Sequence, residues 1–148
     1  MPKRFRAVLV TLPLLAAVIG VPTATAKPGV GPCDLATRDG ETVAHLMKRK
    51  ITCAAESFGP VPGGAARAIC IAKRESGLNP TASSPTGQYL GLYQQAAAYW
   101  PDRYAKWTDK AWQLSSKAQN GRTNSIVTVR MVHAAGGWKA AGWSPKGC

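Results

Sequence analysis

The sequence predicts one mainly α-helical domain of four or five helices, with little sheet and two disulfides. Three observations lead to this prediction. The chain has 148 residues, of which 45% are hydrophobic, so one domain with a core of its own is expected. Apolar residues recur at intervals of three and four in several segments. Four cysteines are present, and an even number in an exported chain indicates two disulfides.

The N-terminal segment has the composition of a secretory signal peptide. Basic residues within 1–6 precede an uncharged apolar run over 7–21, and Ala24-Thr25-Ala26 offers small residues for cleavage. An uncleaved membrane anchor is the alternative, but this run of 15 residues is shorter than the roughly 20 that a bilayer requires. We therefore predict a signal peptide over 1–26, a secreted or cell-envelope protein, and no stable membrane insertion.

The chain after residue 26 is strongly basic. It has 16 basic and 7 acidic side chains, a net charge of +9. This charge favours polyanionic partners, although it would also keep a protein soluble. Export favours anionic wall polymers over nucleic acid, for which no binding motif is present. No Cys-x-x-Cys pair occurs and neither His45 nor His133 adjoins a cysteine, so we predict no metal and no cofactor.

Hydrophobic periodicity divides the remaining chain into an arm and a helical domain. Gly and Pro make residues 27–40 an irregular arm, and residues 41–148 form the domain. A loop or small hairpin is expected over 79–88, where turn-forming residues are concentrated. The predicted helices cover Glu41 to about Ser57, Ala65 to Ser76 with Gly77 as its stop, Leu90 to Trp100, and Asn124 to Ala135, with Pro101 as an interruption.

Glu75 is the candidate catalytic residue. It ends the second predicted helix, where the negative end of the helix macrodipole disfavours an ionised carboxylate. Only six other carboxylates are present in the chain. The ordinary alternative is a surface glutamate, because most acidic side chains are exposed.

Two linked motifs surround this residue: Glu75-Ser76-Gly77 within Ile71 to Pro80, and Gly91-Leu92-Tyr93-Gln94 within Ser84 to Gln94. Together they resemble the catalytic core of bacterial soluble lytic transglycosylases, strongly over 65–103 and weakly over 120–148. The resemblance implies a lysozyme-like fold with Glu75 as catalytic acid and base. Many such enzymes also have an Ala-Tyr-Asn segment, where this chain has His133-Ala134-Ala135, so that tyrosine has no counterpart here.

The end of the chain is similar to that of small secreted wall hydrolases of the resuscitation-promoting-factor type. In that type, a cysteine directly before the catalytic glutamate is tied to one near the C-terminus. The resemblance therefore implies a Cys70–Cys148 disulfide and leaves Cys33 to pair with Cys53. Cysteine number alone allows three pairings, and a Cys53–Cys70 bond is the main alternative.

The resemblance implies an enzyme that cleaves the β-1,4 bond between N-acetylmuramic acid and N-acetylglucosamine in peptidoglycan. Such cleavage needs a proton for the leaving oxygen, which Glu75 would supply. The ionised Glu75 would then deprotonate the 6-hydroxyl of the sugar and close a 1,6-anhydro ring. A lysozyme-type hydrolase with Asp102 as helper and a noncatalytic cationic wall-binding or antimicrobial protein are the alternatives. We expect a monomer.

Aromatic residues are concentrated in the middle of the chain, where seven of the ten that follow residue 26 lie within 24 positions. Such a cluster can line a saccharide groove or support a core. By motif position, Tyr93 and Trp100 are predicted to contact the substrate. Gln94 and Ser84 are predicted to hydrogen-bond to the sugar or to the catalytic carboxylate, although Ser84 would equally suit a loop-stabilising role.

Overall fold

Four α-helices and a two-stranded antiparallel sheet make up the computed structural model, which describes residues 31–148. This confirms the prediction of a mainly helical domain with little sheet. The predicted signal peptide lies outside the described residues. Within 31–148, no helix is both long enough and apolar enough to cross a bilayer. The elements are α1 (Val43–Phe58), α2 (Gly64–Ser76), β1 (Tyr89–Leu90), β2 (Gln95–Ala96), α3 (Trp100–Trp107) and α4 (Gly121–Ala134), with short 3₁₀ turns at Ala97–Tyr99 and Lys110–Trp112.

Helix α4 is the centre of the core. Every residue from Thr123 to Val129 is buried, and α1 and α3 pack against this helix. The Asn120 side chain caps α4 by accepting a hydrogen bond from the Thr123 N–H at 3.0 Å, so the helix begins earlier than the predicted Asn124. Gly121 lies against the Met47 sulfur of α1, where a Cβ atom would collide. The absence of a side chain at Gly121 therefore lets the two helices approach closely.

Helix α2 ends as the sequence predicts. Gly77 adopts a left-handed conformation with φ of 65°, and its N–H donates to the Lys73 carbonyl at 2.8 Å. Leu78 follows with φ of 64° and is buried. Two consecutive left-handed residues turn the chain sharply away from α2. The last residues of the helix are thereby left at the surface.

The prediction of a helix over 90–100 is wrong. The chain instead forms a hairpin (residues 83–96), in which Tyr89 pairs with Ala96 and Leu90 pairs with Gln95. Its turn contains the left-handed Gly91, whose backbone lies against the Ala118 carbonyl where a side chain would not fit. Tertiary contacts thus override the local apolar pattern.

Pro101 was predicted to interrupt the helical pattern, and this prediction is also wrong. Helix α3 begins at Trp100, and Pro101 occupies its first turn. Proline suits this position because N–H groups in the first turn have no partner within the helix.

The two disulfides join Cys33 to Cys53 and Cys70 to Cys148, with Cα–Cα distances of 5.6 and 5.7 Å. Both pairings implied by the resemblance are confirmed, and the Cys53–Cys70 alternative is excluded. The first bond holds the irregular arm on α1. The second holds the C-terminal segment (residues 142–148) on α2.

Candidate functional site

A cleft of about 680 Å³ lies between the C-terminal end of α2, the hairpin and the C-terminal segment. We call it the Glu75 cleft. It contains both polar and aromatic side chains, as a site for a polar ligand requires. The residues that line it are Arg74, Glu75, Tyr89, Gln94, Gly142, Trp143, Ser144 and Lys146.

Glu75 is the one carboxylate among these lining residues. Its side chain is 27% exposed, so it is neither free in solvent nor sealed in the core. Oε1 accepts hydrogen bonds from Arg74, at 2.9 Å from Nη2 and 3.3 Å from Nε. Oε2 makes no hydrogen bond with residues 31–148. One carboxylate oxygen is therefore held by the protein while the other is available to a ligand.

Arg74 also fastens the C-terminal segment to α2. Its Nη2 donates to the Ser144 carbonyl at 2.7 Å, and its Nη1 donates to the Lys146 carbonyl at 2.9 Å. One guanidinium thus joins the carboxylate of Glu75 to the C-terminal segment. Sequence reasoning included Arg74 in the motif but missed this function, because its carbonyl partners lie about 70 residues away.

Trp143, which lines the cleft, belongs to an aromatic cluster with Tyr93 and Trp138. Trp143 is 7% exposed, and its indole N–H donates to the Tyr93 carbonyl at 2.8 Å. Its ring meets those of Tyr93 and Trp138 edge-on, with centroids 6.2 and 6.4 Å away. Trp138 in turn donates to the Pro62 carbonyl at 2.9 Å. Each indole N–H thus has a hydrogen-bond partner, so the two tryptophans can be buried beside the cleft without an unpaired polar group.

The predicted substrate contacts of Tyr93 and Trp100 are wrong. The Tyr93 side chain is fully buried and donates its hydroxyl to the Ala68 carbonyl at 3.0 Å. Burial raises the pKa of this phenol far above its usual range. Trp100 is 6% exposed, lies away from the cleft, and donates to the Ser116 carbonyl at 2.6 Å. Both residues support the core because backbone carbonyls there satisfy their polar groups.

Of the two predicted hydrogen-bonding residues, Gln94 lies in the cleft and Ser84 does not. Gln94 lines the cleft in a left-handed conformation with φ of 48°, and its amide nitrogen donates to the Gly91 carbonyl at 3.0 Å. Its amide oxygen makes no hydrogen bond with residues 31–148 and so remains open to a ligand. Ser84 does not line the cleft, and its hydroxyl accepts from the Tyr89 N–H at 3.0 Å. The structure thus gives Ser84 the loop-stabilising role and not a contact with Glu75.

Asn124 on α4 positions the hairpin, and sequence reasoning missed it. Its buried Oδ1 accepts from the Tyr93 N–H at 3.1 Å, and its Nδ2 donates to the Ala118 carbonyl at 2.7 Å. One turn later, Thr128 accepts from the buried Gln95 side chain at 2.6 Å. Polar residues four positions apart lie on one face of a helix, and polar side chains that become buried need hydrogen-bond partners, so this pair was a signal for the contact.

The remaining acidic candidates lie elsewhere. Asp102 is exposed in the first turn of α3, and Glu56 is exposed on α1 beside another groove. Neither lines the Glu75 cleft. Among the described residues, no group of three or more His, Cys, Asp or Glu could hold a metal ion.

Comparison of the chain with protein-family models, with curated proteins and with solved structures gives no match. The functional assignment therefore depends on the residues of the cleft and on the motifs that surround Glu75.

Proposed function

We propose that this protein is an exported lytic transglycosylase that cleaves peptidoglycan strands between N-acetylmuramic acid and N-acetylglucosamine. A lysozyme-like fold is part of the proposal. The observation that carries it is the position of Glu75, which is the one carboxylate among the described residues that line the Glu75 cleft. The two linked motifs around Glu75 and Gln94 supply the substrate class by resemblance.

In the first step, Glu75 acts as a general acid. The protonated carboxyl group gives its proton to the glycosidic oxygen while the bond from that oxygen to the anomeric carbon breaks. Positive charge then develops on the sugar ring, and the resulting carboxylate lies beside it. Oε2 suits this transfer, because Arg74 holds only Oε1.

In the second step, the same residue acts as a base. The carboxylate takes the proton from the 6-hydroxyl group of the muramic acid, whose oxygen bonds to the anomeric carbon and closes a 1,6-anhydro ring. Glu75 regains its proton, so no second acid is needed. The positions of Asp102 and Glu56 outside the cleft favour this sequence over hydrolysis, in which a second carboxylate ordinarily activates water.

Two further residues suit a glycan ligand. Tyr89 is 48% exposed beside Glu75 and can present its ring face to the C–H surface of a sugar. The free amide oxygen of Gln94 can accept a hydrogen bond from an acetamido N–H group. Both residues belong to the hairpin.

Release of soluble fragments from purified sacculi tests the proposal. We expect Glu75→Gln to lower the rate by at least about 100-fold, the usual contribution of a general acid. Glu56→Gln is the matched control, because it makes the same change on an exposed carboxylate outside the cleft, and we expect full activity. Equal release by wild type and Glu75→Gln, or no release by either protein, would contradict the proposal. Retained binding to sacculi without cleavage by wild type would favour a noncatalytic wall-binding protein.

A further inference from the structure

The charges of the Glu75 cleft do not balance. Two cationic side chains, Arg74 and Lys146, line it together with the single carboxylate of Glu75. Arg74 and Glu75 form an ion pair at 2.9 Å. The cleft therefore retains one positive charge, and an uncharged sugar has no group that could neutralise it.

Arg74 has little capacity left for a ligand. Its Nε and Nη2 donate to Glu75, Nη2 also donates to the Ser144 carbonyl, and Nη1 donates to the Lys146 carbonyl. These bonds use all but one of the N–H groups of the guanidinium. Arg74 is thus a structural cation, and binding of a further anion there would compete with the contacts that hold the cleft together.

Lys146, in contrast to Arg74, has its hydrogen-bonding groups available for a ligand. Its side chain is exposed on the rim of the cleft, and its ammonium group forms no hydrogen bond or ion pair with residues 31–148. Its backbone, in contrast, is fixed: the carbonyl accepts from Arg74 at 2.9 Å, and Cys148 two residues later is bonded to Cys70. The backbone of Lys146 is therefore fixed at the rim of the Glu75 cleft, while its ammonium group is free to bind a ligand.

We propose that Lys146 binds a carboxylate of the substrate and so selects glycans that carry an anionic group near the cleaved bond. This inference depends on the proposed function for the identity of the glycan. Muramic acid carries a lactyl ether whose carboxyl group is either free or joined to a stem peptide with carboxylates of its own. N-acetylglucosamine has neither. The flexible stem of a lysine suits a carboxylate whose position varies between strands.

Calorimetric titration of soluble oligosaccharides tests this inference without requiring cleavage. All variants contain Glu75→Gln, which blocks turnover and keeps an oxygen for Arg74. The three ligands are neutral N-acetylglucosamine oligomers, peptidoglycan oligomers with free lactyl carboxylates, and the same oligomers with stem peptides. Lys146→Gln is compared with Lys139→Gln, which removes a lysine from a different groove.

We expect Lys146→Gln to weaken binding of the carboxylate-bearing ligands by about two- to fivefold at low salt, as for an exposed ion pair. Binding of the neutral oligomers and all affinities of Lys139→Gln should stay unchanged, and high salt should remove the difference. Weaker binding of only the ligand with free lactyl carboxylates would identify the lactyl group as the partner, and weaker binding of both acidic ligands would show that Lys146 binds either a lactyl or a stem carboxylate. Weaker binding of only the peptide-bearing ligand would identify the stem.

The inference is overturned when Lys146→Gln changes nothing, when it weakens the neutral ligand equally, when Lys139→Gln has the same effect, or when the protein binds none of the three ligands. Failure of the proposed function gives a different result. In that case the Lys146-dependent preference is present, but the protein with Glu75 intact releases nothing from sacculi.

Discussion

At the residue scale, Gln94 combines a functional position with an unfavourable backbone. It lines the cleft with φ of 48°, a conformation that costs an ordinary side chain about 1 kcal/mol. We predict that Gln94→Gly raises the free energy of unfolding by up to about 1 kcal/mol, because glycine adopts this conformation freely. The same change should lower glycan cleavage. Urea denaturation and release from sacculi measure the two effects.

Gln113 provides the control for this prediction. It has φ of 49° but is exposed and lies outside the cleft. Gln113→Gly should therefore gain similar stability and keep full activity. Equal activity of both glycine variants would show that the Gln94 side chain has no role in the site.

The sequence indicates the chemistry of single residues better than the direction of their side chains. Glu75 was predicted from its motif and lies in the cleft. Tyr93 was predicted from the same kind of signal, yet its side chain enters the core. The left-handed turn at Gly91 and the hydrogen bond from Tyr93 to Asn124 decide that direction. Neither contact can be inferred from the local sequence, because Asn124 lies 31 residues away.

At the element scale, an ionised Glu41 joins the segment before α1 to Arg49 of that helix. The carboxylate accepts hydrogen bonds from the Arg38 N–H at 3.0 Å and from Arg49 Nη1 at 2.9 Å. The backbone hydrogen bond is the main cause that lowers the Glu41 pKa from its ordinary value of 4.5, with Arg49 adding to it and burial opposing it. A lowered pKa in the folded state stabilises the protein above the unfolded-state pKa. This contribution is lost as pH falls through the folded value.

We therefore predict that acid lowers the stability of wild type more than that of Glu41→Gln. The free energy of unfolding, measured by urea denaturation between about pH 6 and pH 3, should fall more steeply in wild type. Glu56→Gln, which changes an exposed glutamate within α1, should follow wild type. Parallel pH curves for wild type and Glu41→Gln would exclude Glu41 as a source of acid sensitivity.

Elements with a simple amphipathic pattern were predictable, and those made by distant contacts were not. Helices α1 and α2 fall within two residues of their predicted bounds because each has its own apolar face and termination signal. The hairpin has only two residues in each strand. Helix α4 instead holds the hairpin, because Asn124 accepts from the Tyr93 N–H and Thr128 accepts from the Gln95 side chain. A segment with so little local pairing gives no strand pattern in its sequence.

At the scale of the whole molecule, the two disulfides have different roles. Cys70–Cys148 spans 78 residues and holds a wall of the cleft, whereas Cys33–Cys53 spans 20 and holds the arm. In the chain-entropy model, loss of Cys70–Cys148 lowers the free energy of unfolding by about 4 kcal/mol, and loss of Cys33–Cys53 lowers it by about 3 kcal/mol. We predict that Cys70→Ser/Cys148→Ser lowers both stability and cleavage, because Arg74 then loses a fixed partner segment. Thermal denaturation and sacculus digestion measure these effects.

The matched control is Cys33→Ser/Cys53→Ser, which should lose stability but keep its cleavage rate at temperatures where it is folded. Equal loss of cleavage by the two double variants, both folded, would contradict a specific role for the C-terminal segment.

The central claim is that Glu75 alone supplies the acid and the base for an internal ring closure. Mass spectrometry of the sugar ends released from purified sacculi tests it most directly, with wild type compared with Glu75→Gln and Asp102→Asn. We predict 1,6-anhydromuramic ends from wild type and from Asp102→Asn, and no release by Glu75→Gln. Reducing muramic ends from wild type, or loss of cleavage in Asp102→Asn, would contradict the account.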